Sequence, residues 1–151
     1  MRTLGVHTTQ QFIFIAEAAT NSVFAVTDAR RLAFSIETSN DRTSLVHALR
    51  ALIEDKRKAG AERVAILGCN VGRFASALEA IKSEVLLQFV CDEVGLSTTL
   101  VSHASLRSLF GCQKKEKWQD KARAELNSGG HIAYWSQGMN GAVSAAYRAL
   151  K

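Results

Sequence analysis

The sequence predicts an α/β protein: a mixed five-stranded sheet, three antiparallel strands then two parallel ones, with helices on both faces. Three observations carry this expectation. Three strand-like segments with short connections open the chain, as in an antiparallel meander. Two further short apolar runs follow, each separated from the previous strand by a helical pattern, which is how parallel strands are connected. The right-handed rule for such crossovers then lays the fourth and fifth strands parallel to the first.

The elements follow in order. Thr3 to His7 is a short strand, and Gln11 to Ala18 a second with partial alternation of apolar side chains. After a turn at Asn21, Val23 to Val26 and Arg31 to Ile36 form a third strand broken near Asp28. Ser39, Asn40 and Asp41 are N-cap candidates for a helix whose apolar face is Leu45, Val46, Leu49, Leu52 and Ile53. Lys56, Arg57 and Lys58 suit its last turn, and Gly60 stops it. Arg63 to Leu67 reads as a buried strand, and the loop from Gly68 to Gly72 leads into a second helix with Leu78, Ile81, Val85 and Phe89 as its packing face. Thr98 to Val101 is the fifth strand. Ser105 to Phe110 is a helical turn ended by Gly111. Trp118 to Leu126 is a helix broken by Asn127 to Gly130, and Met139 to Leu150 is the last helix, with Ala142, Val143, Ala146 and Leu150 on one face.

Composition narrows the class of protein. With 151 residues, 47% hydrophobic and 22% charged, the chain is long enough to bury a core without disulfides or metals. No run approaches the roughly 18 apolar residues of a membrane span, and no apolar stretch with a small-residue cleavage site follows Met1, so neither a membrane anchor nor a signal peptide is expected. Cys69, Cys91 and Cys112 are odd in number and widely spaced, which predicts buried thiols and a cytosolic address rather than a disulfide framework or zinc site. Net charge is +5, and the window from Arg107 to Arg123 holds six basic and two acidic residues, a net of +4. Such a cluster either contacts phosphates or is a solvated surface.

Several segments resemble ribonuclease H-like proteins, specifically RuvC-type resolvases. Leu4-Gly5-Val6-His7 is similar to the G-I-D start of that family. Arg63 to Gly68 resembles its fourth strand, which normally ends in a catalytic glutamate. Ser102 to Leu126 resembles the stretch where a short helix ends in glycine and a basic loop leads to the next helix. Asn140 to Ala146 resembles the final helix, where the family reads D-A-L-A-I-A. The chain is also similar to an uncharacterised bacterial family that starts M-R-x-x-G-V. The resemblance implies one ribonuclease H-like domain over residues 1–151.

It also implies a site. Nucleases of this fold hold two magnesium ions between carboxylates of strand one, strand four and the last helix, because two hard cations require several oxygen anions. Here those positions are His7, Leu67 or Gly68, and Gly141 with Asn140 beside it, and none is acidic. Imidazole is a poor magnesium ligand. The expectation is therefore a vestigial cleft of His7, Glu17, Gly68, Asn70, Asn140 and Gly141, with no catalytic residue, no metal and no cofactor. Glu17, Glu79, Asp92 and Glu93 are the candidates for displaced acids. Glu17 either points toward His7 from the second strand or lies in water at a sheet edge.

Two further features allow two readings each. Gly68-x-x-x-Gly72, with Asn70 and Arg73, is either a phosphate-accepting loop at a helix N-terminus or plain turn chemistry. Lys114, Lys115, Lys117, Trp118 and Lys121 are either a nucleic-acid contact, with lysines on phosphates and an indole on an unpaired base, or a solvated loop with Trp118 anchoring its helix. The spacing of Trp118, Ala122 and Leu126 suits a core position. Tyr134-Trp135 is either a packed lid or a stacking platform. The partners expected are DNA or RNA, with a homodimer as a further possibility and no membrane. The alternatives to a non-catalytic nucleic-acid-binding protein are a protein-interaction scaffold and an enzyme whose chemistry has moved to His7 and Glu17.

Overall fold

Short strands around Gly5 and a helix of small residues allow the central contact of this protein, where the last helix lies almost directly on the sheet. The computed structural model describes residues 1–70 and 76–151. Its strands are β1 (Arg2–Thr8), β2 (Phe12–Thr20), β3 (Phe24–Ala33), β4 (Arg63–Leu67) and β5 (Ser97–Val101). The helices are α1 (Ser39–Lys58), α2 (Leu78–Val94), α3 (His103–Leu109), α4 (Trp118–Leu126) and α5 (Met139–Leu150), with a single 3-10 turn at Trp135–Gln137. Sheet order is β3-β2-β1-β4-β5; β1 is antiparallel to β2 and parallel to β4, and β4 is parallel to β5. This is the mixed sheet expected from the sequence.

Two local features depart from the expectation. β3 is one continuous strand, and the break foreseen near Asp28 is a bulge: Glu17 pairs with Asp28 but Ala18 pairs with Val26, leaving Thr27 unpaired. The N-cap of α1 is Thr38, one residue before the triplet expected to supply it. Its hydroxyl accepts from the Asp41 amide while the Asp41 carboxylate accepts from the Thr38 amide, a reciprocal capping box.

The two sheet faces carry separate cores. Leu4, Val6, Ile13, Ile15, Val64 and Ile66 face α1 and α2. Phe14, Ala16, Ala65 and Leu67 face α5, which is itself covered by α3 and α4. α5 is consequently buried from Met139 to Tyr147 except at Asn140, more completely than a single apolar face would require. Its approach to β1 is closer than side chains permit. A Cβ on Gly5 would overlap the Ala142 carbonyl oxygen and lie 2.8 Å from the Ala146 Cβ. A methyl group cannot be accommodated there without moving the helix.

α2 reverses the face assigned from its periodicity. Ala80, Ser83, Leu87, Val90, Cys91 and Val94 are buried, whereas Leu78, Val85 and Phe89 are 60%, 59% and 55% exposed. The helix is apolar on both sides, so spacing alone did not identify the side that meets the sheet.

Glu17 is buried on the α1 face, opposite Leu4. Lys56 Nζ donates to Glu17 Oε2 at 2.7 Å and to Asp28 Oδ2 at 2.9 Å, and Arg2 stands 3.7 Å from the other Glu17 oxygen. These contacts raise the Lys56 pKa against the desolvation that opposes them, and Lys56 and Arg30 together lower that of Asp28. The cluster ties β2, β3 and α1 together, and losing one member would leave a buried charge uncompensated.

Gly5→Ala is expected to lower the unfolding free energy by about 3 kcal/mol, the upper range for overpacking, read as a fall in the urea midpoint. Gly60→Ala, at a position with no heavy atom within 4 Å but a left-handed backbone, is expected to cost less than Gly5→Ala.

Candidate functional site

β1, β4 and β5 run parallel and end together, and the C-terminal edge of such strands is where α/β proteins place ligands. The chain continues at this edge into the N-termini of α3 and α5, whose dipoles favour negative charge. The pairing registers put Arg31, Phe14, His7, Leu67 and Val101 in one row across the five strands, all on the α5 face. At about 4.8 Å between strands, that row spans roughly 19 Å.

At its centre, His7, Leu67 and Gly141 touch. A Cβ on Gly141 would overlap the His7 ring and lie 2.8 Å from Leu67 Cδ2. Positions at which the resemblance implies metal-binding carboxylates, with Gly68 the alternative to Leu67, are therefore adjacent in space and hold an imidazole, an isobutyl group and a hydrogen atom. That donor set does not fit a pair of magnesium ions, which take oxygen ligands. Among the described residues, no three His, Cys, Asp or Glu side chains are grouped to hold a metal ion.

His7 Nδ1 donates to the Gly138 carbonyl at 2.9 Å, since a carbonyl can only accept. Burial lowers the His7 pKa from its ordinary 6.5; the Gly138 bond and Glu84 oppose the shift, and His103 reinforces it. His7 is thus a neutral imidazole at pH 7 with Nε2 as its acceptor nitrogen.

The other expected cleft residues divide. Gly68, Asn70 and Asn140 lie at the same edge as His7, on the loop after β4 and in the first turn of α5. Glu17 does not: it lies on the opposite face of the sheet, tied to Lys56, and reaches neither His7 nor open water. Glu93 is engaged with Arg50 at the far end of α2. Asn70 and its neighbours also offer no free amides. The Gly68 amide donates to Val101 O at 2.9 Å, Cys69 to Glu84 Oε2 at 2.9 Å, and Asn70 to Ser76 Oγ at 2.9 Å. Gly72 and Arg73, the rest of the phosphate-loop pattern, lie outside the described residues.

Sequence reasoning missed Glu84, Thr8 and His103. Glu84 flanks the inward face of α2, and its only sequence signal was a position beside Ala80 and Ser83. Thr8 Oγ1 donates to Ala80 O at 3.0 Å and sits 3.5 Å from Cys69 Sγ. Cys91 is buried, its thiol pushed up to about 12 by desolvation. Cys69 and Cys112 are half-buried rather than core residues, and burial raises the Cys69 pKa, keeping it a thiol.

The basic segment forms a shaped loop between α3 and α4. Arg107 donates to the Glu116 carbonyl and, at 2.8 Å, to the Gln113 carbonyl, so its N–H donors are used inside the loop. Lys121 is 2.7 Å from Glu116 Oε2. Lys114, Lys115 and Lys117 are exposed. Trp118 is 4% exposed, and its indole N–H donates a hydrogen bond to His103 Nδ1 at 3.3 Å. Its ring is a core group and presents no face to a base. His103 begins α3 immediately beyond β5, so this contact sets Lys117 on the same sheet edge as His7. Trp135 is likewise buried, while Tyr134 is 39% exposed.

This sheet order, the helix placement and the row at its C-terminal edge define a ribonuclease H-like fold of the RuvC type. Thermus thermophilus RuvC superposes with a TM-score of 0.74 at 9% identity, covering 98% of this chain and 92% of that one. T. thermophilus RuvC in complex with a Holliday junction substrate gives 0.73 at 11% identity, covering 98% and 91%. The yeast mitochondrial Holliday junction resolvase gives 0.60 at 12% identity, covering 98% and 75%. No protein-family model matches the sequence, and no curated protein matches it.

The lowered His7 pKa makes stability depend on pH. As pH falls through about 6.5 the unfolded chain binds a proton that folded His7 refuses, so stability falls with falling pH until the folded value is reached. His103, also lowered by burial, acts in the same direction. The carboxylates with lowered pKa, among them Asp28, lose their contribution only at more acid pH. Urea unfolding between pH 7.5 and 5.5 is expected to show declining stability, with a shallower decline in His7→Gln.

Proposed function

We propose that this chain is a nucleic-acid-binding protein on a RuvC-type scaffold that does not cut by two-metal chemistry, acting in the cytosol as one domain over residues 1–151. The observation that carries the reading is the exposed trio Lys114, Lys115 and Lys117, on the loop that leads into the Trp118–His103 contact beyond β5. Three ammonium groups without a carboxylate partner among the described residues suit phosphate contact, where released counterions supply the affinity. The T. thermophilus RuvC bound to a Holliday junction supports nucleic acid as the ligand class. The pseudo-nuclease part rests on the resemblance, which sets His7, Leu67 or Gly68, and Gly141 at the carboxylate positions, and on the mutual contact of His7, Leu67 and Gly141. The cytosolic part rests on three free cysteines, and no helix among the described residues is long and apolar enough to cross a membrane.

Fluorescence anisotropy with a four-way DNA junction in about 50 mM salt is expected to show binding that weakens steeply with salt. Lys114→Gln, Lys115→Gln and Lys117→Gln combined are expected to flatten the salt dependence by about 2 to 3 log units per log unit of salt. No cleavage is expected on adding magnesium or manganese. Absence of binding at low salt, or metal-dependent cutting lost in His7→Ala, contradicts the reading.

A second reading, a homodimer, has its own observation. The outward side of α2 carries Leu78, Val85 and Phe89 in one stripe, with Lys82 and Glu93 on one flank. Two copies packed antiparallel about a two-fold axis set Val85 against Phe89, covering the stripe with a self-complementary surface. Sedimentation velocity is expected to show a dimer that Val85→Glu converts to a monomer of unchanged melting temperature; a wild-type monomer at 100 μM, a concentration of about the order at which weak dimers form, excludes it.

A further inference from the structure

The row across the sheet ends at Arg31, two strands from His7 and on the rim opposite the lysine loop. Its neighbour Arg30 points to the other face and is neutralised by Asp28 at 2.6 Å. Arg31 has no carboxylate within ion-pair distance among the described residues. Its guanidinium carbon instead lies over two aromatic rings, 4.5 Å from the Phe12 centroid and 4.4 Å from that of Tyr134, while one terminal nitrogen donates to Gln137 Oε1 at 2.7 Å. These three contacts hold the group and use only one of its N–H donors. An arginine whose plane and rotamer are fixed, and whose charge is unpaired, is prepared for an oxyanion.

The surroundings favour the same ligand. Tyr134 holds a left-handed backbone (φ 59°), which an ordinary side chain adopts at a cost, and the strain presents its ring half-exposed. Tyr134, Gln137 and Arg123 line a concavity of about 270 Å³, and Arg31 adjoins it through its contacts with Tyr134 and Gln137. One arginine in the lining, a second held against the wall residues Tyr134 and Gln137, and an aromatic ring match one nucleotide: a phosphodiester at the arginines and an unpaired base against the ring. The 134–138 segment that forms the wall ends at the carbonyl bonded to His7, so the depression and the cleft share one support.

We propose that Arg31, with Tyr134 and Arg123, forms a subsite for one nucleotide of an unpaired strand, on the side of the cleft away from Lys114 to Lys117. This rests on the nucleic-acid reading above and adds a second point of contact, roughly 19 Å from β5 by the strand spacing. A strand bound at both rims crosses the sheet edge above His7.

The test uses a fluorescein-labelled (dT)20 oligonucleotide, the full chain, and the variants Arg31→Gln, Arg31→Lys and Tyr134→Asn, with the triple lysine variant in parallel. Asparagine tolerates the left-handed backbone, so Tyr134→Asn removes the ring without adding strain. Arg31→Gln is expected to weaken binding about fivefold and to reduce the salt slope by about 0.7, one single-strand phosphate. Arg31→Lys is expected to keep the slope while losing part of the affinity, and Tyr134→Asn to weaken binding about fivefold with the slope unchanged. If Arg31→Gln and Tyr134→Asn bind like wild type while the lysine variant is impaired, the subsite is wrong and the lysine reading stands. If wild type binds neither (dT)20 nor the junction, both are wrong. A loss in Arg31→Gln that comes with a lower melting temperature and an unchanged salt slope marks the clamp as structural and overturns the subsite.

Discussion

The packing of α5 on β1 is the contact on which the rest of this protein depends. Gly5 removes the one side chain that would hold the helix off the sheet, and the alanines of α5 let the two backbones meet. Close approach buries α5 on nearly every side, fixes the Gly138 carbonyl where His7 can donate to it, and brings Gly141 against His7 and Leu67. The 134–138 segment follows from the same anchor, since it must reach Gly138 from the end of α4. The neutral state of His7, the position of Tyr134 and the depression beside it are all downstream of a missing methyl group.

Charge is distributed over the molecule according to which sheet face it meets. On the α1 face, Lys56, Glu17, Asp28, Arg30 and Arg2 neutralise one another within a buried or rim network. On the α5 face and around the strand ends, cations are held by neutral groups: Arg31 by rings and an amide, Arg107 by carbonyls. The first arrangement consumes charge to join elements. The second fixes the direction of a side chain and leaves its charge uncompensated, which is the condition for meeting an anionic partner.

Much of this was legible in the sequence, and the exceptions have physical causes. Strands β1, β2, β4 and β5 announced themselves because their apolar runs are bounded by polar or glycine residues. α1 was legible because its apolar residues lie on one side only. The orientation of α2 was not, since a helix apolar all round has no preferred face in a periodicity argument, and only the sheet decides. Trp118 at i, i+4 and i+8 with Ala122 and Leu126 was a fair sign of a core indole, and it is buried. Strand adjacency leaves Glu17 either toward His7 or in water, because it cannot settle a question of face: its partner is Leu4, an odd number of residues from His7, so the pleat turns it to the other side. Glu84 was invisible because its role depends on an amide fifteen residues earlier in the chain.

The contact of Gly141 with His7 and Leu67 also restricts which residues these positions can exchange for. A side chain placed at position 141 meets the imidazole, and the imidazole is held in place by the Gly138 carbonyl. An aspartate there demands a smaller residue at position 7 first, and a smaller residue at position 7 on its own opens a hole beneath α5. Each of these single changes costs stability on its own. Positions 7 and 141 are therefore sterically coupled, and what stands at one limits what the other can hold.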